Sequence, residues 1–122
     1  MTTVVNVKVK YIRPEYNNLV DWCQDENNVY IGRAGIVFCD GERFPKKASP
    51  WCNPYKVGKM YTREDALELY EQHLNRMLED EETRNDFMLL RGKRLGCWCK
   101  EPGKDVACHG DVIVRKLQEL LD

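Results

Sequence analysis

Residues 93–99, with the sequence Lys-Arg-Leu-Gly-Cys-Trp-Cys, decide the fold, because they join a short apolar run to two closely spaced cysteines. The run predicts a β-strand in which Cys97 and Cys99 leave one face while Trp98 takes the other. A helix is predicted over residues 109–121 from an apolar stripe at helical spacing, formed by Ile113, Leu117, Leu120 and Leu121. A strand followed by a helix near the end of the chain indicates a domain that mixes both kinds of element.

Two β-strands are predicted in the first third of the chain. Residues 3–12 alternate apolar and polar side chains, as a half-buried strand does, and the Arg13–Pro14 step ends this pattern. Residues 29–38 are β-branched and aromatic, which indicates a second strand that is either continuous or broken at Gly32 and Gly35. Both strands precede the helical part of the chain.

The middle of the chain predicts a long ordered loop followed by two helices. Residues 40–60 hold three of the five prolines and form the loop. Thr62 is predicted to cap the first helix with Asp65 as its partner, and the apolar face of that helix consists of Ala66, Tyr70, His73, Leu74 and Met77. The second helix covers residues 84–90. The order β-β-loop-α-α-β-α predicts a single α/β or α+β domain of 122 residues, with three or more strands and about three helices.

Composition and charge exclude several classes of protein. With 43% hydrophobic and 32% charged residues, the chain is neither disordered, collagen-like nor a coiled coil. No apolar run is long enough to span a membrane, and the first residues alternate polar and apolar side chains, unlike a signal peptide. We therefore expect an intracellular protein that does not contact membranes. The net charge of −1 excludes polyanion binding through bulk charge. The bases of residues 43–59 and 91–104 either lie in solvated loops or converge on one anionic ligand.

Cysteine and histidine residues cluster near the end of the chain. Cys97, Cys99, Cys108 and His109 lie within thirteen residues, and four such ligands would satisfy a structural zinc ion. Two alternatives to a zinc site stay open. In one, the cysteines are small buried residues that pack around Trp98, and in the other, Cys99 and Cys108 form a disulfide. Zinc is therefore the candidate cofactor.

The two histidines have different expected roles. His73 lies on an apolar helix face and is predicted to be a core or edge residue. His109 opens the last helix, where the partial positive charge of the helix N-terminus suits a phosphate or a carboxylate. For an enzyme, His109 and Asp111 are the candidate acid and base groups, and Cys108 is the candidate nucleophile. Asp111 is equally suited to cap the helix.

The proline-rich loop contains a candidate ligand site. Ser49 and Asn53 each precede a proline, which favours an extended backbone at both positions. Asn53 offers a hydrogen-bond donor and an acceptor, either to a ligand or to its own loop. Stacking faces and positive charge are offered by Trp51, Tyr55 and Lys56. The alternative is a loop whose aromatic residues only fill the core beneath it.

Five segments, residues 29–33, 49–55, 69–70, 90–99 and 108–113, carry a resemblance to a known family. Their motifs Tyr-Ile-Gly-Arg, Ser-x-Trp-x-Asn-Pro-Tyr, Leu-Gly-Cys-Trp-Cys and Cys-His-Gly-Asp resemble those of an uncharacterised domain family of bacteriophages and large DNA viruses. The resemblance covers residues 29–121 and leaves residues 1–28 as an N-terminal extension. It implies a small α/β domain of viral or phage origin, in the host cytoplasm or the virion, and it implies no activity.

Three classes of function remain open. The first is a module that binds a nucleotide-like molecule or nucleic acid in a pocket lined by Arg33, Asn53, Lys56 and His109. The second is an enzyme that acts on such a ligand. The third is a virion-associated structural protein whose Cys/His motif is core packing or a zinc site. A homodimer is the expected protein partner, because a small chain rich in aromatic residues often pairs through a surface patch.

The predicted strands place the candidate residues at one edge of a sheet. Ligands of open α/β sheets bind beyond the carboxyl ends of parallel strands, where loops and helix N-termini converge. If the strands that end near Arg33 and Cys99 are parallel neighbours, both ends share that edge with the start of the last helix. We therefore expect one concave cluster made of Arg33, Asn53, Cys99, Cys108, His109 and Asp111.

Overall fold

The computed structural model describes residues 2–35, 37–39, 41–55, 58, 60–98 and 108–121, apart from the side chains of Cys39 and Leu121. Its elements in chain order are β1 (Thr3–Asn6), α1 (Val9–Ile12), α2 (Leu19–Gln24), β2 (Asn28–Tyr30), β3 (Val37–Cys39), β4 (Glu42–Phe44), α3 (Arg63–Met77), α4 (Glu81–Met88), β5 (Arg94–Cys97) and α5 (His109–Leu121). This mixture of helices and strands confirms the predicted fold class.

The central sheet has three parallel strands in the order β1-β5-β2. Gly96 in the middle strand faces Val5 on one side and Tyr30 on the other. A Cβ atom at Gly96 would lie 2.5 Å from the ring of Trp22, so only glycine lets α2 pack this closely on the sheet. Because all three strands run in the same direction, their carboxyl ends share one edge, as predicted for the second and third strands.

A separate antiparallel hairpin, β3–β4, comes after β2 in the chain. The segment 29–38 is therefore broken, and its two halves belong to different sheets. Gly35, at φ +70°, lies in the break, where a left-handed backbone favours glycine. Residues 40–60 are not a loop throughout, because β4 pairs with β3 and places Phe44 opposite Val37.

The long helices agree with the sequence-based predictions, whereas the short ones were missed. The Thr62–Asp65 capping box is present at the start of α3, and α5 has the predicted bounds. The prediction of one strand over residues 3–12 is wrong. The Asn6 side chain accepts a hydrogen bond from the Lys8 amide at 2.9 Å, which turns the chain out of β1 and into α1.

Two further helix predictions need correction. Helix α4 begins earlier than residue 84, because the Asp80 side chain accepts a hydrogen bond from the Thr83 amide and caps a helix that starts at Glu81. Helix α2 was not predicted. Its N-terminus is capped by Asn18, whose side chain accepts from the Asp21 amide at 2.9 Å.

The sheet separates two apolar clusters. The larger joins the sheet to α3, α4 and α5, and its fully buried members include Ile31, Tyr70, Leu74, Phe87, Leu95, Ile113 and Leu117. The smaller consists of Val7, Ile12, Leu19 and Trp22. Cys97 belongs to the larger cluster and Trp98 packs against the smaller, which confirms that these neighbours leave opposite faces. Of the stripe predicted on α5, Leu120 is 40% exposed.

Within the described parts of the chain, no helix combines the length and the apolar character that crossing a membrane requires.

Candidate functional site

A cavity of about 390 Å³ opens to solvent at the carboxyl ends of β2 and β5, between the sheet, α3 and the first turn of α5. Its described lining residues are Gly32, Arg33, Asn53, Tyr55, Arg63, Ala66, Leu67, Cys97, Trp98, Cys108 and His109. Ligands of parallel sheets bind at such an edge. The cavity is therefore the candidate site, and each of its walls has a separate structural origin.

The first wall is the turn that follows β2. The Trp98 Nε1–H donates to the Tyr30 hydroxyl at 2.8 Å, and that hydroxyl donates to the carbonyl oxygen of Arg33 at 2.7 Å. A Cβ atom at Gly32 would lie 2.6 Å from Tyr30 Cζ and closer still to the hydroxyl oxygen. Burial raises the pKa of Tyr30, so its hydroxyl stays protonated and remains a donor. These contacts hold the turn, and with it Arg33, in one position.

The second wall is the loop around Asn53. The Arg33 side chain donates to the Asn53 carbonyl oxygen from Nε at 3.3 Å and from Nη2 at 2.9 Å. The Asn53 side chain accepts from the Tyr55 amide at 2.9 Å, while its Nδ2 lies 3.5 Å from the Ala66 carbonyl oxygen. Asn53 therefore shapes the loop with its side-chain amide and its carbonyl oxygen, and its predicted contact to a ligand stays a prediction.

The third wall is the first turns of α3, with the aromatic loop end beside it. Arg63, Ala66 and Leu67 face the cavity from α3. Tyr55 is held edge-on by Tyr61, with ring centroids 5.8 Å apart. Its ring also meets that of His73 at 6.4 Å, and His73 is half-buried, as expected for an edge histidine. This wall combines an aromatic ring, aliphatic surface and a guanidinium group.

The fourth wall is the N-terminus of α5. The Gly110 amide donates to Cys108 Sγ at 3.2 Å, and Asp111 Oδ2 accepts from the Cys108 amide at 2.9 Å. These two bonds cap the start of α5, with Cys108 as the N-cap residue. The Asp111 amide also donates to the Cys108 carbonyl oxygen at 3.0 Å. The amides of Gly110 and Asp111, which a phosphate at this helix N-terminus would approach, thus already donate to Cys108.

His109 is 8% exposed, and its surroundings are partly polar. Its Nε2 lies 2.8 Å from the Ile31 carbonyl oxygen, and its ring meets that of Tyr70 edge-on at 5.2 Å. Since a carbonyl oxygen only accepts, Nε2 carries a proton and donates this hydrogen bond. Burial raises the pKa of Tyr70, whose hydroxyl donates to the Trp51 carbonyl oxygen at 2.7 Å. His109 is thus a fixed part of the cavity wall.

The cysteine cluster is described only in part. Cys97 Sγ and Cys108 Sγ lie 3.4 Å apart, and both side chains are buried. Cys99, the third predicted thiol ligand, lies outside the described residues, as does Lys56. Among the residues that are described, no group of three or more His, Cys, Asp or Glu side chains is arranged to hold a metal ion. The zinc site stays a prediction.

The cavity brings together four of the six residues expected to cluster: Arg33, Asn53, Cys108 and His109. Asp111 is not among its lining residues, since it borders a second groove beside Thr3 and Val4. Sequence reasoning missed Arg63 and Leu67. Arg63 could have been found from its position, because it is a basic residue at the start of a helix directly after the proline-rich loop.

Comparisons with known proteins agree with the resemblance in the motifs. Residues 16–119 match the model of a family described as a domain of unknown function, DUF4326, whereas the motifs indicated residues 29–121. The chain is 28% identical over 128 aligned residues to "Uncharacterized protein R718" of Acanthamoeba polyphaga mimivirus, covering 100% of this chain and 87% of the relative. It is also 38% identical over 60 residues to "Uncharacterized 12.4 kDa protein in nrdA-td intergenic region" of Enterobacteria phage T4, covering 48% of this chain and 52% of the relative. No solved structure matches.

Proposed function

This chain belongs to the DUF4326 family, a domain of unknown function with uncharacterised relatives in mimivirus and phage T4, and we propose that it binds a small anionic molecule with a flat apolar part. A 5′-mononucleotide has that chemistry. The binding site is the cavity between the Asn53 loop and the start of α5.

The observation that carries this proposal is the charge of the cavity wall. Its described lining includes the guanidinium groups of Arg33 and Arg63 and no Asp or Glu, although the whole chain has 20 acidic residues against 19 basic ones. Within the described part of the chain, Arg33 forms no ion pair with a carboxylate. A half-buried guanidinium without a carboxylate partner favours an anion from solution.

The remaining surface of the cavity suits a flat ring. Tyr55 and Trp98 present aromatic groups, and Leu67 and Ala66 present aliphatic surface. Stacking of a nucleobase on an aromatic side chain contributes about 1–3 kcal/mol. A cavity of about 390 Å³ lies within the range of small-molecule sites. It is a concave site at the end of a sheet, which favours a single nucleotide over a long nucleic acid.

A thermal-shift experiment tests the proposal with matched ligands. The panel contains a 5′-nucleoside monophosphate, the nucleoside without its phosphate, inorganic phosphate, and a short oligonucleotide. A bound ligand at 100 times its Kd stabilises the folded state by about 2.7 kcal/mol. We expect the monophosphate to raise Tm most, because only it fills both the charged and the flat part of the site. Equal or absent shifts for all four would contradict the proposal and leave the structural virion protein as the better description.

A further inference from the structure

Two thiols from different elements meet at the floor of the cavity. Cys97 is the last residue of β5 and Cys108 directly precedes α5, and their Sγ atoms are 3.4 Å apart. A disulfide has a sulfur–sulfur distance of about 2.05 Å, so these are two reduced thiols in contact. Sulfur atoms this close need only a small displacement to form a bond.

The two thiols are not equivalent. Cys108 Sγ accepts a hydrogen bond from the Gly110 amide at the N-terminus of α5. Backbone N–H groups and the helix dipole at such a position stabilise a thiolate, which is the nucleophilic form of cysteine. Cys97 lies at the end of a strand and is 1% exposed. Cys108 is therefore the attacking sulfur and Cys97 the resolving one.

Both cysteines belong to the lining of the cavity, so the cavity is the route by which a small reagent would approach them. The residues are 1% and 2% exposed overall, yet both line the cavity wall. The two other thiols that the structure describes are placed differently. Cys23 on α2 is away from the cavity lining, and burial raises its pKa to about 11, so it is protonated at neutral pH. Cys52 is half-buried in the loop and is also absent from the lining.

We propose that Cys97 and Cys108 form a redox-active dithiol that is oxidised by a hydroperoxide. The Cys108 thiolate attacks one peroxide oxygen, the O–O bond breaks, and the departing hydroxide takes a proton to become water. Cys108 is then a sulfenic acid. The Cys97 sulfur attacks the Cys108 sulfur, the S–S bond forms, and the S–O bond breaks. The hydroxyl group leaves as a second water with the Cys97 proton. Two thiols lose two electrons, and hydrogen peroxide is reduced to two waters.

Mass spectrometry of the intact protein after treatment with hydrogen peroxide tests this inference. We expect a loss of two hydrogen masses, reversed by dithiothreitol. Trypsin then releases residues 95–100 and 105–115, and the oxidised protein should give these two peptides as one linked species. The readout is independent of the proposed nucleotide, so the two proposals fail separately.

Four variants make the assignment specific. Cys99→Ser should retain the linked species, because the bond joins the other two cysteines. Cys108→Ser should abolish it, because residues 105–115 contain no other cysteine. Serine keeps an oxygen that accepts from the Gly110 amide, so the helix start stays capped. Cys97→Ala should reduce it at least tenfold, because Cys99 is then the remaining cysteine of residues 95–100. Cys52→Ser is the matched control and should oxidise as the wild type does. Circular dichroism confirms that each variant is folded.

Three results would overturn the inference. One is loss of the linked species in Cys99→Ser, which would assign the bond to Cys99. Another is oxidation of Cys108 to sulfinic acid in folded wild-type protein without a linked species. The third is purified protein that carries zinc and forms the disulfide only after chelation, since the thiols would then be metal ligands.

Discussion

The guanidinium group of Arg33 donates two hydrogen bonds to the main-chain carbonyl oxygen of Asn53, at 3.3 Å from Nε and 2.9 Å from Nη2. These bonds join the end of β2 to the proline-rich loop. A further bond from the Ser49 amide to the Gly32 carbonyl oxygen, at 3.0 Å, joins the same two segments. Arg33 thus has two roles, because it fixes the loop that forms one wall of the cavity and brings positive charge to that wall.

Gly32→Ala is expected to destabilise the protein by about 1–3 kcal/mol. The added Cβ atom would clash with the Tyr30 side chain, whose hydroxyl links Trp98 to the Arg33 carbonyl. Urea denaturation measures the free energy of unfolding. The control is Gly58→Ala, where no atom lies within 4 Å of the new Cβ, and its stability should change by less than about 0.5 kcal/mol. Equal effects at the two glycines would argue against this packing.

Tyr70→Phe is expected to cost about 1–3 kcal/mol, because the buried Trp51 carbonyl oxygen loses its hydrogen bond from the hydroxyl. Thermal unfolding provides the measurement. Tyr61→Phe is the matched control, since Tyr61 contacts Tyr55 through its ring and this contact persists in phenylalanine. A Tyr70→Phe protein as stable as the control would show that the hydroxyl has no structural role.

Asp111→Ala separates helix capping from catalysis or ligand binding. Because Asp111 accepts a hydrogen bond from the Cys108 amide, its loss should lower stability by about 0.5–2 kcal/mol. Nucleotide affinity of the folded variant should stay within about threefold of wild type, because Asp111 does not line the cavity. Glu119→Ala, which removes a surface ion pair with Lys116 at 3.0 Å, is the control for stability. If Asp111→Ala keeps the stability of the wild type but loses nucleotide binding, Asp111 contributes to the binding site and does not cap the helix.

In Asp25→Asn, the free energy of unfolding is expected to fall less as the pH is lowered than it does in the wild type. The Tyr16 hydroxyl, at 2.6 Å, is the largest cause that holds the pKa of Asp25 below its usual value, followed by the Asn27 amide. A carboxylate with a depressed folded-state pKa stabilises the protein above its unfolded pKa of about 3.9, and that contribution is lost as the pH falls through the folded pKa. Urea midpoints measured from about pH 5 to about pH 2 should therefore fall less steeply in Asp25→Asn. Glu26→Gln, at an exposed position, is the control, and its urea midpoints should fall with pH as those of the wild type do. If the midpoints of all three proteins fall equally steeply, Asp25 is not a source of the pH dependence.

The elements that the sequence predicts well are those with their own local signals. Helix α5 has an apolar stripe, and α3 has the Thr62–Asp65 capping box, so both are recognisable without tertiary contacts. The turn at Asn6 depends instead on one side-chain hydrogen bond, and the alternating pattern continues past it. Helix α2 has only six residues, too few for a periodic pattern.

The candidate site was predictable to a similar extent. Parallel strands placed Arg33 and His109 at one edge of the sheet, because that rule needs only the ends of the elements. It did not predict how α3 docks, which brings Arg63 and Leu67 to the cavity. It also left open whether Asn53 and Asp111 contact a ligand or form local hydrogen bonds, since side-chain rotamers depend on the packed structure.

Direct binding of a 5′-nucleoside monophosphate to Arg33→Gln, measured by isothermal titration calorimetry, tests the central claim most closely. A charge-assisted hydrogen bond contributes about 1.5–3 kcal/mol, so the Kd should rise at least about tenfold. Arg33→Lys should bind with intermediate affinity, because it keeps the charge but not the guanidinium geometry. Arg76→Gln, on the exposed side of α3, should bind as the wild type does, and each variant is compared at a temperature where it is folded. Wild-type affinity in folded Arg33→Gln would contradict the assignment of the cavity as an anion site.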